Sequence, residues 1–418
     1  GRHTTYHNEI PHPMAALVRA SKFRNTVVSP HKREYCYDNL KPADGGPVSG
    51  AYGQKIAASK TCIAYVDKSS SGSCIGVLPL SSVGRRHAYQ TYQQPLIRAN
   101  SSPVHCLAFS PHENILASGN QNGTLSLFNI PEDGLIEDLK SPAAFMVAPG
   151  ERPAPISSLA LHKAAKNICA TSGGKNLHLW DLEKGKLVIA IEDQHPDHVT
   201  AVCWNWAGDL LLTASRDKLI RLFDARASRA AVGTAPGLSR SAVSWGSRGN
   251  MFFSCGHSPR MDRQLQLFDM KMLAKPFEIV RVDSSSNPMI PLYDDDTDLL
   301  FLCSRGDAVV KLFERSNAEK KPTVHPLSSN TLGGANTNDV TLLPKLAVDA
   351  KKCEIARLLR LTRESIDPVR IEVPRKEKTF AFQSDLFPDT ASPTPSMSAA
   401  EYLAGKLIPP ELVSVEKF

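Results

Sequence analysis

The residues of this chain that are best placed to do chemistry are lysines and arginines concentrated in two segments. Residues 14–42 contain six of them against two acidic residues, and residues 351–378 contain nine against five, so each segment has a net charge of +4. The whole chain has a formal net charge of +7, so the remainder is close to neutral. Clustered positive charge steers and binds acidic partners. The two segments therefore indicate charge recognition, although two solvated faces without a partner would have the same composition.

Motifs that would indicate bond-making chemistry are present only as fragments. Residues 173–176 (GGKN) resemble part of a phosphate-binding loop, but they lack its first glycine and its Ser/Thr, and they fit a turn between strands. Residues 305–307 (RGD) also fit a tight turn. The acidic run 294–298 lacks the spacing of a calcium loop and is expected to be a solvated turn. We therefore expect no enzyme, no catalytic residue, no cofactor and no bound metal.

The elements that must position the basic residues are short strands in a repeating pattern. Apolar strands that end in an aromatic and a polar residue recur at spacings of 52, 43, 45 and 45 residues. The five endings are Phe128-Asn129, Trp180-Asp181, Phe223-Asp224, Phe268-Asp269 and Phe313-Glu314. Repeats of this length, with turn residues between the strands, are typical of four-stranded units. The pattern resembles the WD-repeat family, whose units form the blades of a β-propeller.

Two weaker copies bring the expected number of blades to seven. One lies in residues 54–80 and the other in residues 337–382. A propeller closes its ring so that no sheet edge is left open, and residues 23–28 remain as a strand that can do this. We therefore predict an all-β, seven-bladed WD-repeat β-propeller over residues 14–382, closed by an N-terminal strand. Residues 1–13 are predicted to be a tag or a disordered leader.

Polar residues of the fourth repeat are expected to support the fold. His195, Ser215 and Asp217 stand where many WD repeats hydrogen-bond a strand tryptophan, but here the strand carries Phe223. A phenyl ring donates no hydrogen bond, so a polar network is replaced by apolar packing. The structural role is therefore favoured over a catalytic one for His195 and Asp217.

Cysteine usage and hydropathy indicate the compartment. The nine cysteines are dispersed and never spaced Cys-x-x-Cys, which argues against a zinc site or a disulfide scaffold. No apolar run long enough to span a membrane and no secretory signal is visible in the sequence. A reducing compartment, most simply the cytoplasm, is therefore expected.

Segments outside the generic repeat narrow the family. Residues 19–25 (RASKFRN) and 36–41 (CYDNLK) resemble the opening of coronins, and residues 258–265 (SPRMDRQL) resemble an insert in the fifth coronin blade. The most specific segments are KCEIAR at 352–357, VPRK at 373–376 and FQSDLFPDT at 382–390. None of them belongs to the generic WD repeat, and they occur in the same order, so the chain is identified as a member of the coronin family.

The coronin resemblance implies a propeller that binds filamentous actin, and a coiled coil that makes full-length members oligomeric. Sustained heptads are not visible, so this chain is expected to be a monomeric propeller with its C-terminal extension, the coiled coil being absent. The extension, residues 383–418, is broken by prolines, and residues 398–401 have the form of a capping box before a short helix. By analogy the extension packs along the underside of the propeller; a disordered linker is the alternative.

The resemblance also implies a binding residue. In the family, a basic residue after the Cys-Tyr-acid motif contributes to filament binding, and the matching residue here is Lys41, where several relatives have arginine. A lysine keeps the charge but loses the bidentate pairing with carboxylates. The further actin-binding candidates, by proximity alone, are Lys22, Arg24, Lys32 and Arg33. Arg19 and Arg24 fit a structural role beside the closing strand equally well, and Arg85 and Arg86 would extend the patch.

Two other function classes stay open at this point. If the closing strand pairs with the last blade, the two basic segments form one patch, which would also attract acidic phosphoinositide lipids in a peripheral membrane adaptor. A generic WD-repeat scaffold would instead bind peptides at the mouth of its central channel, with little dependence on salt or on Lys41. Nucleic acid is not expected as a partner. The expected location is the cytoplasm, at the actin cytoskeleton and the cell cortex.

Overall fold

The strands of the computed structural model form a closed ring of seven blades. The structure describes residues 21–44, 53–85, 94–316 apart from 225, 228, 247 and 249, 323–375 and 382–417. The innermost strand of each blade contacts that of the next, and the seventh contacts the first. The predicted all-β propeller is therefore confirmed. The predicted leader at 1–13, together with Arg19, Arg86 and Lys376, lies outside the described residues.

Each blade contains strands a to d, counted outward from the central channel. Consecutive strands are antiparallel, so the connections alternate between two faces. We call the face that carries the b–c turns and the links from strand d to the next blade the upper face. The face that carries the a–b and c–d connections is the lower face.

Blades 1 to 6 follow one another along the chain. Their strands a to d are, in blade 1, Ile56–Ala58, Cys62–Asp67, Cys74–Pro79 and Leu96–Ile97; in blade 2, Val104–Phe109, Ile115–Asn120, Thr124–Asn129 and Ala144–Val147; in blade 3, Ile156–Leu161, Ile168–Gly173, Asn176–Asp181 and Lys186–Ile191; in blade 4, Val199–Trp204, Leu211–Ser215, Leu219–Phe223 and Gly233–Pro236; in blade 5, Ser239–Gly246, Met251–His257, Arg263–Asp269 and Glu278–Asp283; and in blade 6, Met289–Asp294, Leu299–Ser304, Val309–Ser316 and Thr323–Thr331. The weak first copy predicted at 54–80 is therefore confirmed.

Blade 7 is built from both ends of the described chain. Its strands a to c are Asp339–Leu342, Glu354–Leu361 and Ile366–Glu372, and its strand d is Val27–Pro30, which we call the closing strand. The predicted closing strand at 23–28 is confirmed in role but shifted in position. Phe23 instead turns inward and is buried among apolar residues of blades 6 and 7. Two short strands, Tyr37–Asp38 and Gly84–Arg85, extend the same sheet towards blade 1.

Burial explains why the repeat pattern reads as it does. Strand b of blade 1 and strand b of blade 3 are buried along their whole length, and such strands read as continuous apolar or small residues. The c-strand residues Phe128, Trp180, Phe223, Phe268 and Phe313 are all buried. His195 hydrogen-bonds Thr213 at 3.0 Å and packs on Phe223, so its predicted structural role is supported by its contacts. All nine cysteines are free, and eight are buried.

The C-terminal extension crosses the lower face. Leu386 and Phe387 pack among apolar residues of blades 6 and 7, and Met397 forms a β-bridge with Ala165 of blade 3. The predicted capping box is present at the start of the helix Ala399–Leu403. The chain then turns back, because the strand Leu412–Val413 pairs with Thr390–Ala391. The extension therefore packs on the propeller as predicted, and the disordered-linker alternative is wrong.

Short 3-10 helices complete the described elements. They are Arg33–Tyr35, Ser69–Gly72, Lys345–Ala347, Ala350–Lys352 and Val415–Lys417. No helix in the described ranges is long and apolar enough to cross a bilayer.

The acidic run at 294–298 corrects one expectation. It does form the a–b turn of blade 6, but it is not solvated, since Asp294 is only 5 % exposed. Three of its four carboxylates pair with cations of other blades: Asp295 with Lys163 at 2.8 Å, Asp296 with Arg248 at 3.6 Å, and Asp294 with Lys345. The fourth, Asp298, pairs with Arg315 of the same blade at 3.1 Å. The first three partners come from blades 3, 5 and 7, so repeat-by-repeat reading could not pair them.

Candidate functional site

The closing strand separates the five predicted site residues into two groups. All five side chains are exposed. Lys22 and Arg24 lie before the strand, at its lower end, where the Lys22 ammonium donates a hydrogen bond to the Asp385 carbonyl and lies 5.0 Å from the Phe23 ring centroid. Lys22 therefore serves the junction with the C-terminal extension. Arg24 shares this turn, which fits the structural role considered for it.

Lys32 and Arg33 lie after the closing strand, towards the upper face. Arg33 begins the 3-10 helix Arg33–Tyr35, and its guanidinium pairs with the buried Asp38 carboxylate at 2.9 Å. The Arg33 side chain is nevertheless 73 % exposed, so one flank of the guanidinium remains open to a partner. Its charge, however, is already balanced by Asp38.

Lys41 occupies a fixed position on the upper face, between blades 7 and 1. The preceding Leu40 donates its N–H to the Glu364 carbonyl in the b–c turn of blade 7 at 2.9 Å. The Lys41 carbonyl accepts the N–H of Lys68, beside the b–c turn of blade 1, at 2.8 Å. These hydrogen bonds fix the backbone of Lys41 to both blades, so its ammonium group projects from a rigid junction between blades 7 and 1.

Two further cations, which were not predicted from the sequence, lie at the same junction of blades 7 and 1. Lys68 lies beside Lys41 through the hydrogen bond just described, and Arg363 precedes Glu364 in the b–c turn of blade 7. We call Lys41, Lys68 and Arg363 the rim cluster. All three are exposed, and none forms an ion pair with another residue that the structure describes. Lys68 and Arg363 could have been predicted from their positions at the b–c turns of two neighbouring blades.

The predicted adjacency of the two basic segments is confirmed, but much of the second segment's charge is neutralised within the fold. The closing strand pairs with strand c of blade 7 in a register that places Val27 opposite Glu372. Five cations of residues 351–375 already have acidic partners. These pairs are Lys352–Asp349, Arg357–Glu354, Arg360–Asp367, Arg370–Glu372 and Arg375–Asp385. Lys41 and Arg363, which belong to the two segments, form no ion pair with a described residue and lie with Lys68 in the rim cluster. Lys32 and Lys351 are also exposed and form no ion pair with a described residue.

Three titratable groups near the closing strand, His31, Cys36 and Tyr37, stay neutral at physiological pH. Burial, reinforced by the charges of Arg357, Arg370 and Lys352, lowers the pKa of His31 to about 4. Burial raises the pKa of Tyr37 to about 12 and that of Cys36 to about 11. None of these three groups changes its charge between about pH 6 and 8.

The propeller has two cavities that could be considered as ligand sites. The central channel holds a cavity of about 170 Å³, which is smaller than ligand pockets of roughly 300–1,000 Å³. A larger cavity of about 480 Å³ opens at the lower mouth, where Thr390–Ala391 and the residues that follow form one wall. Within the described ranges, no group of three His, Cys, Asp or Glu side chains is arranged to hold a metal ion. The channel interior is therefore too small for a ligand of that size, whereas the cavity at the lower mouth falls within the range.

Comparison with known proteins agrees with this architecture. Residues 92–129 and 186–224 match the WD domain, G-beta repeat, and residues 366–410 match a type of WD40 repeat. Residues 16–85 match a domain of unknown function (DUF1899). The WD40 domain of Toxoplasma gondii coronin superposes with a TM-score of 0.84 at 24 % identity, over 94 % of this chain and 97 % of that one. The chain has the fold of a coronin WD40 domain.

A more distant likeness sets the scale of that similarity. A chain of the mitotic checkpoint complex gives a TM-score of 0.60 at 14 % identity, over 86 % of this chain and 99 % of the other. The resemblance to coronins seen in the sequence is therefore confirmed at the level of the fold. In this coronin-type propeller, the match at 16–85 contains the closing strand and Lys41, and the match at 366–410 joins strand c of blade 7 to the extension.

Proposed function

We propose that this coronin-type propeller is an actin-filament-binding scaffold with no chemistry of its own, located in the cytoplasm at the actin cytoskeleton and cell cortex. The observation that supports the proposal is the position of Lys41. It is exposed on the upper face, its backbone is fixed by blades 7 and 1, and Lys68 and Arg363 stand beside it. Lys41 is also the residue to which the coronin resemblance points.

Electrostatics explains how such a cluster would work. Actin filaments are strongly acidic, so three neighbouring cations with no ion pair to a described residue would raise the rate of encounter with the filament. This attraction would weaken with added salt. Because backbone hydrogen bonds already fix the segments that carry the rim cluster, binding has to order its side chains but not its backbone. Bundling needs two filament sites in one particle, and we propose that an oligomerising coiled coil supplies them through avidity.

The Lys41→Glu variant is expected to bind actin filaments at least about tenfold more weakly than the parent chain, because a reversed rim charge replaces attraction by repulsion. Lys68→Glu and Arg363→Glu should each weaken binding several-fold, and Lys41→Arg should preserve it. Co-sedimentation with filaments over a salt series measures all four. Binding of the parent should fall with salt and should not change between pH 6 and 8.

Lys60→Glu is the matched control, since Lys60 is also exposed but lies on the a–b turn of blade 1, on the lower face. It should pellet like the parent. Lys22→Glu and Lys32→Glu test the other predicted candidates in the same assay. If Lys41→Glu pellets as well as the parent does, the filament site lies on another face and the proposal is wrong.

A further inference from the structure

The outer edge of blade 2 carries an exposed apolar strand. Strand d of this blade, Ala144–Val147, is the last strand of its sheet, and no strand in the described part of the chain pairs with its outer side. Phe145 is 64 % exposed and Val147 is 51 % exposed. The strand contains no charged residue and no proline. An unprotected edge of this kind is a template for pairing with another chain.

The outer edges of the other six blades are covered or protected. In blade 1, Leu139 covers strand d, because it forms a parallel β-bridge with Ile97 and its carbonyl accepts the N–H of Arg98 at 2.8 Å. The strands d of the other five blades carry an exposed lysine, arginine or proline, and such residues discourage edge pairing. These residues are Lys186 in blade 3, Pro236 in blade 4, Arg281 in blade 5, Pro326 in blade 6 and Pro30 in blade 7. Among the described strands d, that of blade 2 is the one without such protection.

The backbone of this strand is oriented to accept a further strand. Ala148 donates its N–H inward, to the Gly123 carbonyl, at 3.0 Å. Backbone groups of successive strand residues point to opposite sides, so the N–H and C=O groups of Val147 and Phe145 point away from the sheet. A partner strand would therefore find two donors and two acceptors in register along this edge.

The side chains form an apolar surface beside the edge. Met146 packs into the apolar cluster that blade 2 shares with Trp180 of blade 3. Side chains alternate along a strand, so Phe145 and Val147 project from the opposite face, towards blade 1. Residues 135–139 lie on that side, along the outer edge of blade 1, and Ile136 among them is 83 % exposed. A strand paired with strand d would therefore meet apolar side chains on its blade 1 face.

The connection between strands c and d of blade 2 is acidic, although the whole chain has a net charge of +7. Glu132, Asp133 and Glu137 are exposed, and none of them forms an ion pair with another described residue. Lys140 is the only basic residue of the sequence 130–143. Negative charge at the lower end of the edge favours a partner segment that is basic at that end.

We propose that the outer edge of blade 2 is a docking site for an extended, basic segment of a partner protein, which adds a fifth strand to the blade. Backbone hydrogen bonds supply affinity in this mode of recognition, and alternate side chains supply specificity. Strand d runs from the lower to the upper face, so the C-terminal end of an antiparallel partner reaches the acidic connection. The site is separate from the rim cluster of blades 7 and 1, and the inference does not depend on the proposed filament contact.

Fluorescence anisotropy with the full chain and a labelled peptide of sequence TVTVTVKRK tests the inference. The parent should bind this peptide, with an affinity that falls with salt, and it should not bind TVTVTVEEE. N-methylation of alternate peptide residues removes the backbone donors from one edge of the peptide only. Of the two alternately methylated forms of TVTVTVKRK, one should therefore lose binding and the other should retain it.

Variants of the chain locate the site. The Phe145→Lys/Val147→Lys double variant should bind TVTVTVKRK at least about tenfold more weakly, since each cross-strand contact contributes up to about fivefold and the added charges repel the basic peptide. Glu132→Lys/Glu137→Lys should weaken binding several-fold and reduce its salt dependence. Ile279→Lys, at an exposed position of strand d of blade 5, is the matched control and should bind like the parent.

The Phe145→Lys/Val147→Lys variant should also keep the parent's melting temperature and filament binding. Loss of filament binding in this variant would assign the edge to the filament contact and overturn the inference. No binding of TVTVTVKRK by the parent, or equal loss in this variant and in Ile279→Lys, overturns it as well. Equal binding of the two methylated peptides overturns strand addition. Sedimentation velocity tests the other occupant: a parent that dimerises, beside a double variant that does not, would mean that the edge binds a second copy of this chain instead.

Discussion

Replacement of Tyr402 by alanine is expected to lower the free energy of unfolding by about 3–5 kcal/mol, the usual range for loss of a buried aromatic ring. The ring is fully buried on the lower face. Its centroid lies 4.6 Å from that of His162 and 6.1 Å from that of Trp204, and the Arg226 guanidinium lies 4.9 Å from it. Tyr402 thus anchors the helix of the extension to blades 3 and 4. Denaturant unfolding of parent and variant measures the change.

Tyr402→Phe is the matched control, because the Tyr402 hydroxyl is buried without a hydrogen-bond partner among the described residues. Removal of an unsatisfied buried hydroxyl is neutral or stabilising, so this variant should be at least as stable as the parent. An alanine variant of unchanged stability would mean that the extension is not anchored here. A phenylalanine variant as unstable as the alanine variant would mean that the hydroxyl has a partner.

Acidification from pH 6.5 to 4 is expected to remove several kcal/mol of stability. Burial lowers the pKa of His105, His162 and His195 to about 4 in each case. The unfolded chain, with histidine pKa values near 6.5, binds more protons across this window, so the free energy of unfolding falls as the pH falls. One such histidine accounts for at most about 3 kcal/mol, against a total stability of about 5–15 kcal/mol for a typical domain.

His162 shows why protonation is resisted. Its Nδ1 accepts the N–H groups of Ala164 and Ala165 at 3.0 and 2.7 Å, and its Nε2 donates to the Gly208 carbonyl at 3.0 Å. A proton on Nδ1 would meet two donors. The pKa of Asp296 acts in the opposite direction, because burial and the neighbouring Asp294 raise it to about 6, but this one group offsets only part of the loss.

Denaturant titrations at a series of pH values measure the slope of the free energy of unfolding against pH. His162→Gln should flatten it, even though this variant is less stable at neutral pH. A stability that is constant between pH 6.5 and 4 would contradict the prediction.

The parts of the fold that local sequence determines were predictable. The turn at 173–176, the capping box at 398–401 and the order of the strands depend on residues close together in the chain, and all are present. The chemistry of the acidic run was not, because the partners of Asp295 and Asp296 are Lys163 and Arg248, in other blades.

The candidate site also contains residues that could be predicted from the sequence and residues that only the fold brings together. Lys41 was predicted through the coronin resemblance. Lys68 and Arg363 lie beside it only because two b–c turns from opposite ends of the chain meet where blade 7 adjoins blade 1. Lys22 illustrates the converse: it is near in sequence, but its ammonium is bound to the Asp385 carbonyl in the extension. Distance along the chain predicts which residues are neighbours within one turn. It does not predict neighbours where the first and last blades of the ring meet.

The pairing of the closing strand with strand c of blade 7 also determines when the ring can close during synthesis. Val27 pairs with Glu372, about 345 residues further along the chain. At synthesis rates of roughly 5–20 residues per second, the closing strand leaves the ribosome roughly 20–70 seconds before its partner does. Blades 1 to 6 can form during that interval, while Val27–Pro30 waits as an exposed strand. Until blade 7 is complete, this strand is an unpaired edge that another nascent chain could pair with.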